Sequence, residues 1–391
     1  MFKFRSIEPI AFLALICAIA LIFSRSAIVS QPQSTVRLIT DPPIGQILPF
    51  EAEAAVTPKP PRLTVQALDP NGQRLANAKI HLQILAPAPT PWFTTDFPNV
   101  EGTKLLDLEA IAPNGELQVQ QMLPIRGTYQ LQVNVTPTVA QAFTPFKQTL
   151  SLDVAENAVK YRYFAILAIV LLVVGLGGGW IIGGKQRVPT GEIAPQPVKL
   201  LLSGMIMLAI IALLFVNISA EIAESHGTDH GSIAHQTQPD KAGTTRSQGI
   251  EVSFTGDRSA IVGQPANLKV QAIDTKTNQP VTDALLHVKT TAVEGEWVAL
   301  DFQSSPNATG EVQWLATFLD GAPHKLEVEV LPKPGGVRQF QPFQVAQEIE
   351  VEGVAPSLTV RFITLFYLTS IIVVGLAIGL QMKRRAMRAV R

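Results

Sequence analysis

Leu63-Thr-Val-Gln-Ala-Leu-Asp69 recurs further along the chain as Leu268-Lys-Val-Gln-Ala-Ile-Asp274. Three more pairs follow in the same order: Trp92-Phe-Thr-Thr-Asp-Phe97 with Trp297-Val-Ala-Leu-Asp-Phe302, Asn114-Gly-Glu-Leu-Gln118 with Thr309-Gly-Glu-Val-Gln313, and Phe143-Thr-Pro-Phe146 with Phe340-Gln-Pro-Phe343. Because the offset between matched residues stays between 195 and 206, one unit has been duplicated in tandem.

Each copy reads as a set of β-strands. Apolar and polar residues alternate along Tyr129–Val135 and His324–Val330, which is the pattern of strands with one buried face. Turn signals such as Asp69-Pro-Asn-Gly72 separate the runs, as in antiparallel sandwiches. The sequence therefore predicts two tandem Ig-like β-sandwich domains, at 60–156 and 249–353, with about seven strands each and with Trp92 and Trp297 in their cores.

The two copies are bracketed by apolar runs. At 47% apolar and 16% charged residues, the 391-residue chain is more hydrophobic than most soluble proteins. A helix needs about 20 apolar residues to cross a bilayer. The expected fold class is thus all-β sandwich domains plus four transmembrane α-helices, at 1–25, 162–184, 200–220 and 361–382. The first run has a basic start, so a cleaved signal peptide is the alternative to an uncleaved anchor.

Basic residues predict the orientation. They cluster before the first run, in the loop 185–199 and in the tail 383–391, and all three clusters fall on one side of a four-span arrangement. We therefore expect a multi-pass protein of the plasma (inner) membrane with cytoplasmic termini. The sandwiches then lie outside, preceded by a Pro-rich linker, 26–59, and a His-containing linker, 221–248.

The charge balance and the single cysteine limit the possible partners. Lysine plus arginine and aspartate plus glutamate both number 31, and no outer segment carries a basic run, which argues against nucleic acid. Cys17 lies within the first apolar run, so the sandwiches must fold without disulfides.

Small residues suggest where the membrane helices touch. Gly175, Gly179 and Gly183 are spaced by four in the second span, as are Gly375 and Gly379 in the fourth. Glycine at this spacing lets helix backbones approach closely in lipid. The alternative is that glycine is simply frequent in membrane helices. No span carries an Asp, Glu, His, Lys or Arg at depth, as ion or proton pathways usually need, so the spans read as anchors.

Three histidines, His226, His230 and His235, lie close together in the second linker. Imidazole with nearby carboxylates suits Cu(II) or Zn(II), so this stretch is a candidate metal site, and a polar linker without metal is the alternative. His81 and His287 occupy matched strand positions and are expected to pack structurally against loops. Asp96 and Asp301, each four residues after a tryptophan, are expected to hydrogen-bond turns.

Catalytic motifs are absent from the sequence: there is no nucleophile elbow, zinc-protease helix or phosphate loop. We therefore expect no catalytic residues and no enzyme.

The stretch Val65–Ile80, followed by Gly127-Thr-Tyr-Gln-Leu-Gln-Val133, resembles the extracytoplasmic modules of the YtkA-like and FixH-like families. The second copy departs from that pattern, because Ala322-Pro-His324 replaces the Gly-x-Tyr start. The resemblance covers the sandwiches only. FixH-like proteins are associated with assembly or metal supply of respiratory oxidases, so it implies a role of that kind.

The favoured function is non-enzymatic. The chain would present its sandwiches outside the membrane to bind another membrane or periplasmic protein, with copper handling or respiratory-complex assembly as the narrower hypothesis. The alternatives are a structural or adhesive envelope protein without metal, and an accessory subunit of a transporter.

Overall fold

The computed structural model describes residues 33–50, 59–90, 95–183, 195, 198–204 and 243–389. Within this part of the chain the first repeat forms β1 (Thr35–Asp41), β2 (Arg62–Leu68), β3 (Ala78–Leu85), β4 (Lys104–Ala112), β5 (Glu116–Gln121), β6 (Gly127–Pro137) and β7 (Phe146–Val154). The second forms β8 (Thr244–Ser247), β9 (Ile250–Gly256), β10 (Ser259–Ile261), β11 (Pro265–Asp274), β12 (Ala284–Ala292), β13 (Val298–Ser304), β14 (Glu311–Thr317), β15 (His324–Pro332) and β16 (Phe343–Glu352). Helix α1 (Ala158–Ile182) follows β7, and helix α2 (Leu358–Ala389) follows β16.

The strands arise from the alternation seen in the sequence. Along β3 every second side chain is buried, and the same holds along β12. Burial of one face of each strand is what pays for ordering the backbone. The inward side chains of both repeats form one continuous hydrophobic core, in which Trp314, Tyr129 and Phe302 are among the largest fully buried side chains.

The two repeats share their sheets. Sheet A has the strand order β1-β2-β5-β13-β12-β15-β16-β10, and sheet B has the order β7-β6-β3-β4-β14-β11-β9-β8. Each sheet therefore crosses from one repeat to the other. The crossings are the antiparallel pairs β5–β13 and β4–β14.

These two crossings are equivalent by an internal twofold. Phe302 pairs with Val119 at one of them, and the matched residues Leu108 and Trp314 pair at the other. Under the exchange of repeats β5 becomes β14 and β13 becomes β4, so sheet A maps onto sheet B. The two repeats thus pack as an intramolecular pseudo-dimer and do not form two independent domains.

The expected fold class needs correction on this point. The prediction of two separate tandem sandwiches is wrong, because the two repeats pair edge to edge and share one hydrophobic core. The alternation of residues defines strands, but it does not state which repeat supplies a strand's neighbour.

Four membrane helices are also not what the structure shows. In the described residues two helices, α1 and α2, are long and apolar enough to cross a membrane, with mean hydropathies of 2.6 and 2.3. The expected span at 1–25 lies outside the described residues, and the one at 200–220 is described only to residue 204.

The Pro-rich segment 26–59 is not a simple linker. It contains β1, and its Ile47 and Phe50 are 1% exposed in the core. The N–H of Phe50 donates to the carbonyl of Leu123, which ties the segment to the sandwich. Its prolines and polar residues obscure the few apolar side chains that are buried. The second linker, 221–248, likewise ends in the strand β8.

Candidate binding surface

Strand β1 forms an open edge of sheet A. Among the described strands it pairs with β2 alone, with Val36 opposite Ala67 and Leu38 opposite Val65. The N–H of Val36 points away from β2 and donates to the side-chain Oε1 of Gln148, at 2.7 Å. Because peptide groups alternate sides along a strand, the N–H groups of Leu38 and Thr40 point the same way. The half of β1 from Leu38 onward therefore presents backbone groups at the sheet edge.

The matching edge in the second repeat is covered. Strand β9 takes the place of β1, since Val252 pairs with Ala272 and Phe254 pairs with Val270. Strand β8 lies on its outer side as the first arm of a hairpin. The N–H of Phe254, the counterpart of Leu38, donates to the carbonyl of Gly243 at 3.2 Å. The same edge is thus filled in one repeat by an added antiparallel strand, whereas in the other repeat the described residues add none.

Exposed apolar side chains lie next to the open edge. Ile39 is 46% exposed, and Ile44 and Leu48 in the following segment are 41% and 48% exposed. On the inner side a groove of about 510 Å³ separates β1 from β7, the edge strand of sheet B, and is lined by Leu38, Leu68 and Leu150 among others. Open strand edges with apolar neighbours are sites of pairing with other chains, and most proteins protect them.

The outer faces of the sheets carry matched polar pairs. On sheet B the Nε2 of His81 lies 2.5 Å from Asp107, and on sheet A the Nε2 of His287 lies 2.9 Å from Asp301. A second contact joins the Nδ1 of His287 to Glu329 at 3.3 Å. Both histidines are about one-third exposed and bind carboxylates, so the expected packing against loops is wrong.

The structure also corrects the alignment of the repeats. His81 pairs with Glu109 across the strands, and His287 pairs with Gln303, so Asp107 and Asp301 sit at the same diagonal position. The counterpart of Asp301 is therefore Asp107 and not Asp96. The sequence alignment matches Trp92 with Trp297 and therefore places Asp96 opposite Asp301. Asp96 instead forms an ion pair with Lys160 at the start of α1.

The carboxylate of Asp107 is held in its charged form. Burial alone would raise its pKa, but hydrogen bonds from Lys104, His81 and Gln83 outweigh burial and lower the pKa. In the second repeat the hydrogen bond to Asp301 raises the pKa of His287 against the effect of burial, and Glu329 adds to the increase. These pairs are electrostatically satisfied within the sheet, and each stabilises a cross-strand contact.

Helices α1 and α2 touch through their glycines. A Cβ added at Gly175 would overlap the carbonyl of Ile372, and one at Gly375 would lie 3.2 Å from the Cα of Gly175. Gly179 and Gly379 make the equivalent backbone contacts with Leu376 and Leu176. Gly183 is less tightly packed, because a Cβ added there would lie 3.1 Å from the Cβ of Lys383. Matched residues differ by 200 throughout, so the helices are parallel and follow the same internal twofold as the sandwich.

The predicted metal site in the second linker cannot be compared with the structure. His226, His230 and His235 fall outside the described residues, as does Trp92. In the part of the chain that the structure describes, no group of three or more His, Cys, Asp or Glu side chains is placed to hold a metal ion.

No protein-family model matches the chain, and no curated protein matches it. Among solved structures, native α-2-macroglobulin of E. coli is similar over 84% of this chain and 14% of its own, with 10% identity and a TM-score of 0.21. The D0-D1 domain of intimin is similar over 82% and 98%, with 11% identity and a TM-score of 0.18. MtrC from Shewanella baltica OS185 is similar over 83% and 71%, with 8% identity and a TM-score of 0.19. At such values nothing about binding or activity carries over to this chain.

Proposed function

We propose that this protein is a non-enzymatic, membrane-anchored β-sandwich that binds an extended segment of another protein along the open edge of β1, outside the membrane. The observation that carries the proposal is the contrast between the repeats: the edge of β9 is filled by β8, whereas within the described residues no strand is added at the same edge of β1 from Leu38 onward. The antiparallel pairing of β8 with β9 indicates the kind of strand that the edge of β1 would bind.

The chemistry of the edge indicates the kind of segment. Main-chain hydrogen bonds from an added strand would supply affinity whatever its sequence, and side-chain pockets would supply specificity. Outward-facing Ile39, with Ile44 and Leu48 nearby, favours a segment that places apolar side chains on the outer face. The groove toward β7 would receive its alternate side chains.

The paired helices suit a presenting role. β7 leads into α1 and β16 leads into α2, and the two helices contact each other, so both leave the same end of the sandwich. Their backbone contact, together with the shared core, would hold the sandwich rigidly on the membrane with β1 at one side.

Site-specific photo-crosslinking tests this function. A photoreactive amino acid at Ile39 of the full chain in native membranes should give one discrete crosslinked product. The same amino acid at Glu109, on the outer face of the interior strand β4, is the control and should give none. Thr40→Pro removes one edge N–H without touching the β1–β2 ladder and should abolish the product, provided that the melting temperature is unchanged.

Two outcomes would contradict the proposal. Equal crosslinking from Ile39 and Glu109 would show that the edge is not selective. A product of twice the chain mass would show that the edge binds a second copy, which is the adhesive or structural alternative.

The copper hypothesis is separate and rests on His226, His230 and His235 together with the FixH-like resemblance. Under it the full chain binds Cu(II) or Zn(II) with a stoichiometry that titration calorimetry measures. Replacing all three histidines by alanine should remove that binding. Unchanged affinity in the triple variant would reject a metal role for this stretch while leaving the edge proposal intact.

A further inference from the structure

A fully buried histidine lies where the two repeats meet. His324, the first residue of β15, is 0% exposed. Its ring meets Phe318 and Trp297 edge-on, with centroids 4.8 and 5.6 Å apart. Trp297 in turn packs on Phe50 of the first repeat at 4.6 Å. This junction lies at the end of the sandwich from which the helices leave, since His324 pairs with Ile349 near the end of β16.

Hydrogen bonding fixes how this ring is protonated. Its Nδ1 lies 2.7 Å from the carbonyl oxygen of Ala322, which can only accept, so Nδ1 carries the hydrogen. In a neutral ring Nε2 is then an acceptor. It faces the Oδ1 of Asp320 at 3.6 Å, and neither atom has a hydrogen-bond partner among the described residues.

Two buried acceptors facing each other lack one proton. We propose that Asp320 and His324 form a proton-binding site at the repeat junction, in which a single bound proton bridges the buried Oδ1 of the carboxylate and the imidazole. Binding forms one O–H···N hydrogen bond between these two atoms and breaks none at either, because among the described residues Oδ1 and Nε2 have no other partner. Buried unsatisfied polar atoms are costly, so filling the site tightens the loop that carries Asp320.

The first repeat shows the arrangement without a titratable pair. Tyr129 occupies the position of His324, and Ile125 that of Asp320, four residues earlier in both cases. The hydroxyl of Tyr129 donates to the carbonyl of Ile125 at 2.6 Å and accepts from its N–H at 2.9 Å. The corner of the first repeat is thus satisfied at any physiological pH. Only the second repeat has a corner whose hydrogen bonding depends on a proton.

The electrostatics place the proton on the carboxyl group. Burial raises the pKa of Asp320 to about 6, and the charge of Glu294 in the turn between β12 and β13 adds to the increase. Burial lowers the pKa of His324 to about 4. In the described part of the chain no other charged side chain contributes to either shift. Between these values Asp320 is protonated and donates to a neutral His324.

The site is coupled to the helix that follows. A Cβ added at Gly321, next to Asp320, would lie 2.5 Å from the Cα of Gly353, shortly before α2 begins. The loop from Asp320 to His324 therefore packs directly on the connection between sandwich and helix.

Infrared difference spectroscopy on the full chain in lipid nanodiscs tests the site directly. A protonated-carboxyl C=O band should appear as the pH falls through about 6 and should be missing in Asp320→Asn. Absence of such a band in the wild type, or its appearance only near the ordinary aspartate value of 3.8, would overturn the proposal.

Thermal unfolding of two variants gives an independent test. In His324→Tyr only the raised Asp320 remains, so its stability is full below 3.8 and falls as the pH rises through about 6. In Asp320→Asn only the lowered His324 remains, so its stability is full above 6.5 and falls as the pH drops through about 4. The two slopes should be opposite, on the order of 5 °C in melting temperature across each window. The wild type should vary less than either variant, because its two contributions oppose each other.

Tyrosine replaces His324 in the first variant because Tyr129 holds the matched position in the first repeat. If the tyrosine ring does not fit, His324→Gln serves as the second variant. Tyr129→Phe is the control and should shift the melting temperature equally at all these pH values. Parallel slopes in Asp320→Asn and in both His324 variants would overturn the proposal. None of these outcomes depends on partner binding at β1.

Discussion

At the scale of single residues, His287 on the outer face of sheet A contacts two carboxylates. Its ring bridges Asp301 and Glu329 across three strands of sheet A. Because its pKa is raised in the folded protein, the charged form stabilises the fold below the unfolded value of 6.5, and this contribution is lost as the pH rises through the raised pKa. Partial exposure limits its size to about 1 kcal/mol or less.

We therefore expect His287→Gln to lower the free energy of unfolding most near pH 6 and least near pH 9, as measured by chemical denaturation at about those values. Lys325→Gln is the control. Lys325 pairs with Glu327 at 2.5 Å, and both lie on β15, the strand next to that of His287. A pH-independent effect of His287→Gln would contradict the expectation.

At the scale of elements, the glycine contact should govern the spacing of the helices. Ala at Gly175 or Gly379 would place a methyl group against the carbonyl of Ile372 or Leu176, so the helices must separate. Gly177 is the matched control, because an added Cβ meets nothing within 4 Å there.

The distance between spin labels at Ile166→Cys and Phe366→Cys, in a Cys17→Ser background, measures this separation. We expect Gly175→Ala and Gly379→Ala to lengthen it by roughly 1–2 Å, since close glycine contacts set helix approach in lipid. Gly177→Ala should leave the distance unchanged. A lengthening in the control as large as in the variants would show that the contact does not position the helices.

At the scale of the whole molecule, neither repeat should fold alone. A solitary first repeat would expose the edges of β4 and β5 and the half of the core that it shares with the second. Open edges and uncovered apolar surface favour aggregation. Two half-chains, 1–195 and 196–391, should instead assemble when produced together.

Co-purification with a tag on one half measures this assembly. The tagged half should bring down the other in about equal amount, and each half produced by itself should be insoluble or degraded, because its sheets are incomplete. Cooperative unfolding of an isolated half would contradict the shared-core arrangement.

Local pattern was enough to predict several features. Alternation at period two identified the strands around Tyr129 and His324, and apolar length identified α1 and α2. Both are properties of consecutive residues, and the repeat itself is visible in matched stretches. Strand β1 escaped because its four exposed residues and the surrounding prolines hide the buried Val36.

By itself, then, the sequence determined that the chain is a duplicated set of strands followed in each copy by an apolar helix. Only the tertiary structure decided that the two copies pair edge to edge. It also decided that Asp107, rather than Asp96, occupies the position equivalent to Asp301, and that Nε2 of His324 faces the carboxylate of Asp320. The reason is physical: periodicity records which side of a strand is buried, whereas pairing partners and hydrogen-bond geometry arise between residues far apart in the chain.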